Sequence, residues 1–310
     1  MWLHFIIAGI MIKGKTMKEC YLYKKAGDYI ECQTCNHRCR IAPFKRGICG
    51  VRENHRGKLY LLVYGRVIAE NIDPIEKKPL YQFMPGTFSL SIATVGCNFR
   101  CLWCQNDDIS QCTKADFDRD NIMNRLGVEM EPTQIVADAK KHKTPSISYT
   151  YTEPTIFLEF ALDTMKLAKK EGLKNIWVSN GYMTKETLDL ITPYLDAINV
   201  DLKGFSEENY LKYSGAKLQP VLDNIKEIYK QGIHIEVTTL IIPGVNDDEK
   251  QLKDIAKFLA KISKNIPWHI SRFFPAYKMM DTPPTPIETL KKAESIGKKA
   301  GLKYIHLGNI

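Results

Sequence analysis

Short apolar runs rich in β-branched and aromatic residues alternate with helical patterns from residue 87 onward. Such alternation is typical of parallel strands joined by helical crossovers. We expect strands at residues 88–95, 146–151, 175–178, 197–201, 233–242 and 268–274. We expect helices near residues 133–142, 155–171, 185–192, 219–231, 247–264 and 287–300, followed by an apolar run at 304–307. The pattern predicts an α/β fold with six or seven strand–helix units.

The first part of the chain follows a different pattern. Residues 18–85 contain five of the nine cysteines, and residues 59–67 read as a short hairpin. Residues 1–17 are apolar at their start, but the apolar stretch is too short to span a bilayer and no basic region precedes it. We expect 1–17 to be an extra N-terminal segment with Met17 as the true initiator, which N-terminal sequencing would test. A cysteine-rich module at 18–85 and a main domain at 86–310 complete the predicted organisation.

Composition narrows the class of protein. The 310 residues are 44% hydrophobic, which is enough for a large α/β core and argues against disorder. The net charge of +9 suits an acidic partner or substrate but selects none, and many basic residues lie on predicted helix faces. Grouped cysteines without a signal sequence favour a reducing cytoplasm and metal binding over disulfides. No stretch is long and apolar enough to cross a membrane.

Cys97, Cys101 and Cys104 lie close together at C-x3-C-x2-C spacing, with no fourth cysteine in register. Thiolates are the usual ligands of iron–sulfur clusters, and a cubane cluster contains four irons. Three thiolates would leave one iron open, and an open position is what catalytic metal sites use to bind a substrate or cofactor. Close cysteines can also bind zinc or fill a core as small buried side chains, so the spacing alone leaves these alternatives open.

A second cysteine group lies in the N-terminal module, at Cys32, Cys35, Cys39 and Cys49. Four thiolates can close the coordination of a metal centre, and both zinc and a second iron–sulfur cluster fit this spacing. Such a site would organise a segment that has few other core residues. The group is therefore a candidate second metal site with its metal left open.

The segment 95–106 resembles the signature of the radical S-adenosylmethionine (radical SAM) superfamily, and in particular that of its glycyl-radical activating enzymes. In that family the open iron of a [4Fe–4S] cluster binds the amino and carboxylate groups of SAM. The reduced cluster then donates one electron, the S–C5′ bond breaks, and the resulting 5′-deoxyadenosyl radical abstracts a hydrogen atom. The resemblance implies a partial (β/α)6 TIM-like barrel, SAM as a cofactor, and a cluster held by Cys97, Cys101 and Cys104.

Polar motifs follow three later strands, at the carboxyl ends where barrel enzymes place their active sites. They resemble the Gly-Gly-Glu-Pro, Thr-Asn-Gly and Asp-Leu-Lys motifs of the family, and here they read Tyr151-Thr152-Glu153-Pro154, Ser179-Asn180-Gly181 and Asp201-Leu202-Lys203. Each motif also suits plain architecture, as a helix start, a tight turn or a surface ion pair. The resemblance implies that the SAM pocket is shaped by Glu153, Ser179, Asn180, Asp201 and Lys203. Homolysis needs no general base, so no separate catalytic residue is assigned.

The arrangement also resembles one subgroup, the radical SAM proteins of the AmmeMemoRadiSam system, which are related to pyruvate formate-lyase activating enzyme. The residues that carry this likeness are Cys32-x2-Cys35, the stretch 46–54, Tyr64-Gly65-Arg66, the stretch 97–106 and Asp201-Leu202-Lys203. It implies a protein substrate, reduced flavodoxin or ferredoxin as electron donor, and association with AmmeMemo proteins. Two alternatives remain open: a radical SAM enzyme acting on RNA or a small molecule, and a non-catalytic iron–sulfur or zinc scaffold. RNA ranks lower, because no aromatic-rich platform for single strands is visible.

Overall fold

A computed structural model describes residues 11–12, 15–114 and 127–310. Its largest sheet contains parallel strands that we number barrel strands 1 to 7 in chain order: Phe88–Ala93, Ser146–Tyr149, Lys174–Ser179, Ala197–Asp201, His234–Ile241, Trp268–Arg272 and Ile305–Gly308. Strand Ala69–Pro74 pairs antiparallel with barrel strand 1 at one edge. Within the described residues the sheet order runs from this edge strand to barrel strand 7, so the barrel is open between them. The predicted α/β fold with a partial TIM-like barrel is confirmed, with one more parallel strand than six.

Amphipathic helices cover the outer face of this sheet: Pro132–Lys141, Leu158–Lys170, Lys185–Ile191, Gln219–Lys230, Glu249–Ile262 and Ile287–Ala300. Helix Glu249–Ile262 shows why they form, since its buried residues Leu252, Ile255, Ala256 and Leu259 recur at helical spacing. Its N-terminus is capped by Asp248, whose side chain accepts from the backbone N–H of Gln251 at 2.9 Å. Short helical turns lie at Ile75–Lys77, Asp107–Ser110, Pro154–Phe157, Glu207–Asn209 and Tyr210–Ser214.

Alternating residues give the barrel an apolar outer face and a polar interior. On barrel strand 6, an added Cβ on Gly297 of the last helix would lie 3.1 Å from the Trp268 ring, so Trp268 faces the helices. The next residue, His269, lines the interior cavity. Its register partners Thr238 and His306 line the same cavity. Barrel interiors are usually filled by bulky branched side chains, so a polar lumen indicates space for a polar ligand.

The N-terminal module consists of two small antiparallel sheets. One contains Tyr23–Ala26, Tyr29–Cys32 and Arg40–Ile41, and the other contains Lys18–Glu19, Lys58–Leu61 and Arg52–His55. Two shorter pairs join Met11–Ile12 to Lys15–Thr16 and Arg66–Val67 to Val128–Glu129. The predicted hairpin over residues 59–67 is therefore wrong.

The real hairpin lies earlier in the chain and turns at Arg56-Gly57. Both of these residues have positive φ, at 52° and 79°, which is the geometry of a type I′ turn. An Arg-Gly pair is a weaker sequence signal for this turn than Asn-Gly, because arginine carries no local preference for positive φ. The strand after the turn then pairs on both sides, with Arg52–His55 and Lys18–Glu19.

The module is attached to the barrel by a buried ion pair. The guanidinium of Arg52 binds the carboxylate of Glu159 at 2.6 and 3.1 Å, and both side chains are at most 2% exposed. Arg52 also donates from Nε to the carbonyl of Ile156 at 3.0 Å. Edge strand Ala69–Pro74 belongs to the barrel sheet although it precedes residue 86. The predicted boundary between module and main domain at residues 85 and 86 stays a prediction. The predicted extra segment 1–17 lies mostly outside the described residues.

None of the helices that the structure describes is long and apolar enough to cross a lipid bilayer.

Candidate functional site

The loop after barrel strand 1 carries Cys97, Cys101 and Cys104, and all three line one cavity of ≈ 540 Å³. Two backbone hydrogen bonds brace this loop against the turn Tyr210–Ser214, from Arg100 N to Ser214 O at 2.8 Å and from Leu102 N to Tyr213 O at 3.0 Å. The volume lies within the range of small-molecule sites. The loop is therefore held by the barrel, with its thiols at the rim of a ligand-sized space.

Glu153 organises the ends of barrel strands 2 and 3. Its carboxylate is 1% exposed and accepts from Thr155 N at 3.0 Å and Thr155 Oγ1 at 2.6 Å. It also accepts from Ser179 Oγ at 2.8 Å and from Asn180 N at 2.8 Å. Burial raises the pKa of Glu153, and these hydrogen bonds oppose the rise. The three predicted pocket residues Glu153, Ser179 and Asn180 thus form one hydrogen-bonded unit.

Tyr151 occupies the first position of the glycine pair in the related motif and adopts φ +61°, a conformation that favours glycine. Its ring packs against Lys78, whose ammonium lies 4.5 Å from the ring centroid, and its hydroxyl contacts Asp73. The Tyr151 carbonyl accepts from Asn106 Nδ2 at 2.8 Å. The backbone therefore takes a glycine-like path although the glycines are replaced, and the side chain is accommodated by the edge strand.

Asp201 and Lys203 form an ion pair at the end of barrel strand 4, with Lys203 Nζ 3.1 Å from Asp201 Oδ2. Burial disfavours the charged ammonium, but the Asp201 carboxylate and the Cys101 thiol hold the pKa of Lys203 well above its ordinary value. The Lys203 backbone is fixed on both sides, since its N–H donates to Tyr210 Oη at 3.1 Å and its carbonyl accepts from Asn246 Nδ2 at 3.0 Å. A fixed cation therefore lies beside the cysteine loop.

The structure brings the predicted residues together around one space. The cavity that the three thiols line is also lined by the side chains or backbone of Glu153, Ser179, Asn180, Asp201 and Lys203. Together with the cysteine loop, these residues come from the ends of barrel strands 1 to 4, which are far apart in the sequence. Soft thiolates beside charged and amide groups suit an iron–sulfur cluster with a zwitterionic ligand, so the residues fit the cofactors that the motifs imply. Their individual roles stay predictions.

Sequence reasoning missed a histidine group on the floor of this cavity. Glu236, fully buried, accepts from His234 Nε2 at 2.9 Å and from His269 Nε2 at 2.6 Å. Although its burial opposes ionisation, the hydrogen bonds lower the pKa of Glu236 to about 2. His306 stacks on His269 with ring centroids 5.0 Å apart, and both line the cavity. The alternation of polar residues in barrel strands 5 to 7 is the signal that could have revealed this group.

The backbone of the segment before barrel strand 1 completes this floor. The N–H groups of Tyr81 and Gln82 donate to the Glu236 carboxylate at 3.0 and 2.8 Å. The Tyr81 ring packs against His269 and His306, with centroids 4.8 and 4.6 Å apart. Glu236 therefore ties the segment around Tyr81 to the barrel interior.

The other cysteine group, Cys32, Cys35, Cys39 and Cys49, lines a separate cavity between the module and the barrel. Among the residues that the structure describes, no three or more His, Cys, Asp or Glu side chains are placed to hold a single metal ion. That finding covers both cysteine groups. The structure therefore places the four cysteines at one cavity, and the metal site itself stays a prediction.

The chain matches the family model described as the radical SAM superfamily over residues 91–259. An uncharacterized protein of Methanocaldococcus jannaschii is 45% identical over 296 residues, spanning 95% of this chain and 86% of that protein. A second protein of that organism, named as a glycyl-radical enzyme activating enzyme, is 27% identical over 220 residues, which are 70% of this chain and 78% of its own length. A solved radical SAM methyltransferase from Sphaerobacter thermophilus has a TM-score of 0.53 at 14% identity, with 73% of this chain and 67% of that one covered.

The family match begins within barrel strand 1, runs beyond barrel strand 5 and includes the loop with the cysteine triplet. The solved structure supports the barrel fold alone, because its sequence identity is low. The family implies a [4Fe–4S] cluster and SAM as cofactors, while the predicted association with AmmeMemo proteins stays a prediction. The chain belongs to the radical SAM superfamily and is related to the glycyl-radical enzyme activating enzymes.

Proposed function

We propose that this chain cleaves SAM reductively at a [4Fe–4S] cluster held by Cys97, Cys101 and Cys104, and abstracts a hydrogen atom from a substrate. The observation that carries the proposal is the single cavity lined by these thiols and by the polar ends of barrel strands 2, 3 and 4. Together, the bound cluster and SAM supply a 5′-deoxyadenosyl radical, and the protein supplies binding, orientation and exclusion of water.

In this proposal the residues of the protein bind the ligand and orient it in the cavity. Lys203, fixed by Asp201 and by its braced backbone, attracts the carboxylate of the ligand. Glu153 holds Ser179 and Asn180 in place, so that their polar groups keep one geometry at the cavity wall. Phe99 and Trp103 are at most 4% exposed and line the same cavity, so that they cover part of the cysteine loop with apolar surface.

For the substrate we propose a glycine α-carbon in a partner protein, with reduced flavodoxin or ferredoxin as electron donor. The relationship to proteins named as activating enzymes supports this substrate class. We propose that an extended chain enters between edge strand Ala69–Pro74 and barrel strand 7, which do not pair with each other. A small polar molecule is a second candidate substrate, because the polar floor with His269 and His306 could hydrogen-bond such a molecule.

The first test is 5′-deoxyadenosine formation by anaerobically reconstituted protein with dithionite and SAM. We expect product from the wild type and none from Cys97→Ala. The matched control is Cys112→Ala, which removes a cysteine that lies outside both groups and whose thiol donates to the Ile109 carbonyl at 3.4 Å. Product from all three single variants at Cys97, Cys101 and Cys104 would contradict the assignment. An intact cluster that neither binds SAM nor forms product would favour the scaffold alternative.

A second test addresses the substrate class. Wild-type enzyme is incubated with SAM, reductant and an anaerobic extract of the source organism, and EPR is recorded. A glycyl radical on a protein is the expected signal, absent with Cys97→Ala. If 5′-deoxyadenosine accumulates only after the small-molecule fraction of the extract is added, the glycine substrate is wrong and the small-molecule candidate stands.

A further inference from the structure

The cavity lined by the four N-terminal cysteines is assembled by backbone contacts from separate segments. Cys32 N donates to Cys39 O at 3.0 Å, which closes the loop between these two residues. Cys35 forms a β-bridge with Met183 of the barrel. Cys49 lies in a turn closed by the bond from Gly50 N to Gly47 O at 2.9 Å. The fold thus brings four thiols to one place at the junction of module and barrel.

A buried donor without a partner lies at the same cavity. Asn98 is 1% exposed and lines the cavity. Its Oδ1 accepts from Asn180 Nδ2 at 2.7 Å, while its Nδ2 has no hydrogen-bond partner within the described part of the chain. Buried amide groups in native proteins are nearly always bonded, so this N–H needs an acceptor. The sulfur atoms of a metal–thiolate centre are such acceptors, and hydrogen bonds to them tune its potential.

The spacing of the thiols distinguishes a single ion from a cluster. A zinc ion draws each sulfur to about 2.3 Å, so four sulfurs around it lie within about 4 Å of one another. Here no three of the described ligand-type side chains are placed to share one ion. The catalytic triplet is likewise not placed around one ion, and its family implies a cluster.

We propose that Cys32, Cys35, Cys39 and Cys49 bind a second [4Fe–4S] cluster, and that Asn98 Nδ2 donates a hydrogen bond to one of its sulfur atoms. Each iron then has a cysteine ligand, so this cluster offers no open iron to SAM. Burial raises the pKa of the thiols of Cys35 and Cys39 and raises that of Cys49 to about 11. Bound iron would offset that cost, because metal ligation stabilises the thiolate form.

The second cluster would lie beside the first. Asn98 lines the cavity of the quartet, and its neighbour Cys97 lines the large cavity. The Lys114 ammonium interacts electrostatically with Cys97, Cys101 and Cys49, so one cation serves both cysteine groups. Transfer of one electron from the second cluster to the first is the role that follows. This role rests on the proposed function, whereas the binding of the cluster does not.

The test compares two variants with the wild type, each purified and reconstituted without oxygen. We expect about eight irons per chain in the wild type and about four in both Cys97→Ala/Cys101→Ala/Cys104→Ala and Cys35→Ala/Cys39→Ala. The triplet variant should keep an EPR signal that SAM does not perturb, and the Cys35→Ala/Cys39→Ala variant should keep only the signal that SAM perturbs. Cys112→Ala should match the wild type. Failure of SAM cleavage with both signals present would remove the proposed function and leave this site standing.

Two further measurements keep the proposal open to refutation where a cysteine variant fails to fold. The first is metal content. If wild-type protein purified without added metal contains about one zinc per chain, and binds only about four irons after reconstitution, the second cluster is wrong. Asn98→Leu removes the proposed donor without removing a ligand. It should shift the reduction potential of the SAM-insensitive cluster, and an unchanged potential would exclude the hydrogen bond.

Discussion

The two cysteine sites of this protein lie next to each other and differ in almost every physical respect. Three thiols line a cavity of ≈ 540 Å³ whose walls carry charged and amide groups. Four thiols line a smaller cavity, whose lining also includes Thr34, His37, Arg52 and the buried amide of Asn98. The first site leaves coordination open and has room for a ligand. The second has enough thiols to close its coordination, which suits storage of electrons or structural support.

The surroundings of each site, as well as its number of cysteines, indicate its role. Cys101 lies beside the Asp201–Lys203 pair, where a zwitterionic ligand can be held. The quartet lies at the junction that Arg52 and Glu159 hold together, where a metal would fix one part of the chain to the other. Three predictions can break or sharpen this division of roles.

The largest effect is expected from the choice of reductant. Cys39→Ala should still form 5′-deoxyadenosine with dithionite, because a small reductant can reach the first cluster through the open cavity. With reduced flavodoxin it should fall to the level of Cys101→Ala, because the second cluster that would relay the electron is missing. The measurement is 5′-deoxyadenosine formed with each reductant, with Cys112→Ala as control. If Cys39→Ala loses 5′-deoxyadenosine formation equally with both reductants, the four N-terminal cysteines serve folding. If it keeps this activity with both reductants, they do not relay the electron.

The next effect concerns the junction between module and barrel. Arg52→Ala leaves the Glu159 carboxylate buried with its guanidinium partner gone, which typically costs about 3–5 kcal/mol. We expect a matching loss of unfolding free energy in denaturant, together with loss of metal from the quartet before the triplet. The double variant Arg52→Met/Glu159→Met should recover part of the stability, since no charge remains buried, although the Ile156 carbonyl and the Tyr21 N–H lose their partners. Lys185→Ala breaks an exposed pair with Asp189 and should have no measurable effect. Simultaneous loss of metal from both sites would contradict the separation of the two.

The two sites also differ in how far the sequence predicts them. The strand ends with Glu153, Ser179, Asn180, Asp201 and Lys203 were foreseen at one cavity, because parallel strands align their carboxyl ends at one edge of a barrel. The group of Glu236, His269 and His306 was missed, because its hydrogen bonds and ring stacking join three strands across the lumen. The hairpin after Arg52 was missed because Arg56-Gly57 is a weak turn signal. Contacts between segments that are distant in the sequence cannot be predicted from local sequence patterns.

The smallest effect is expected at the floor of the large cavity. In Glu236→Gln, an amide replaces a carboxylate that accepts from both the Tyr81 and the Gln82 backbone N–H, one at each oxygen. In either orientation the new NH2 group faces one of these donors, which leaves a buried donor unpaired and costs about 1–3 kcal/mol. Thermal unfolding should show this loss, and hydrogen exchange should accelerate at Tyr81 and Gln82 but not at the backbone N–H of Cys32. Glu171→Gln, which alters an exposed pair with Lys140, is the control. If exchange accelerated equally at Cys32, the floor of the large cavity and the walls of the small one would open as one unit, and the division of roles between the two sites would lose its structural basis.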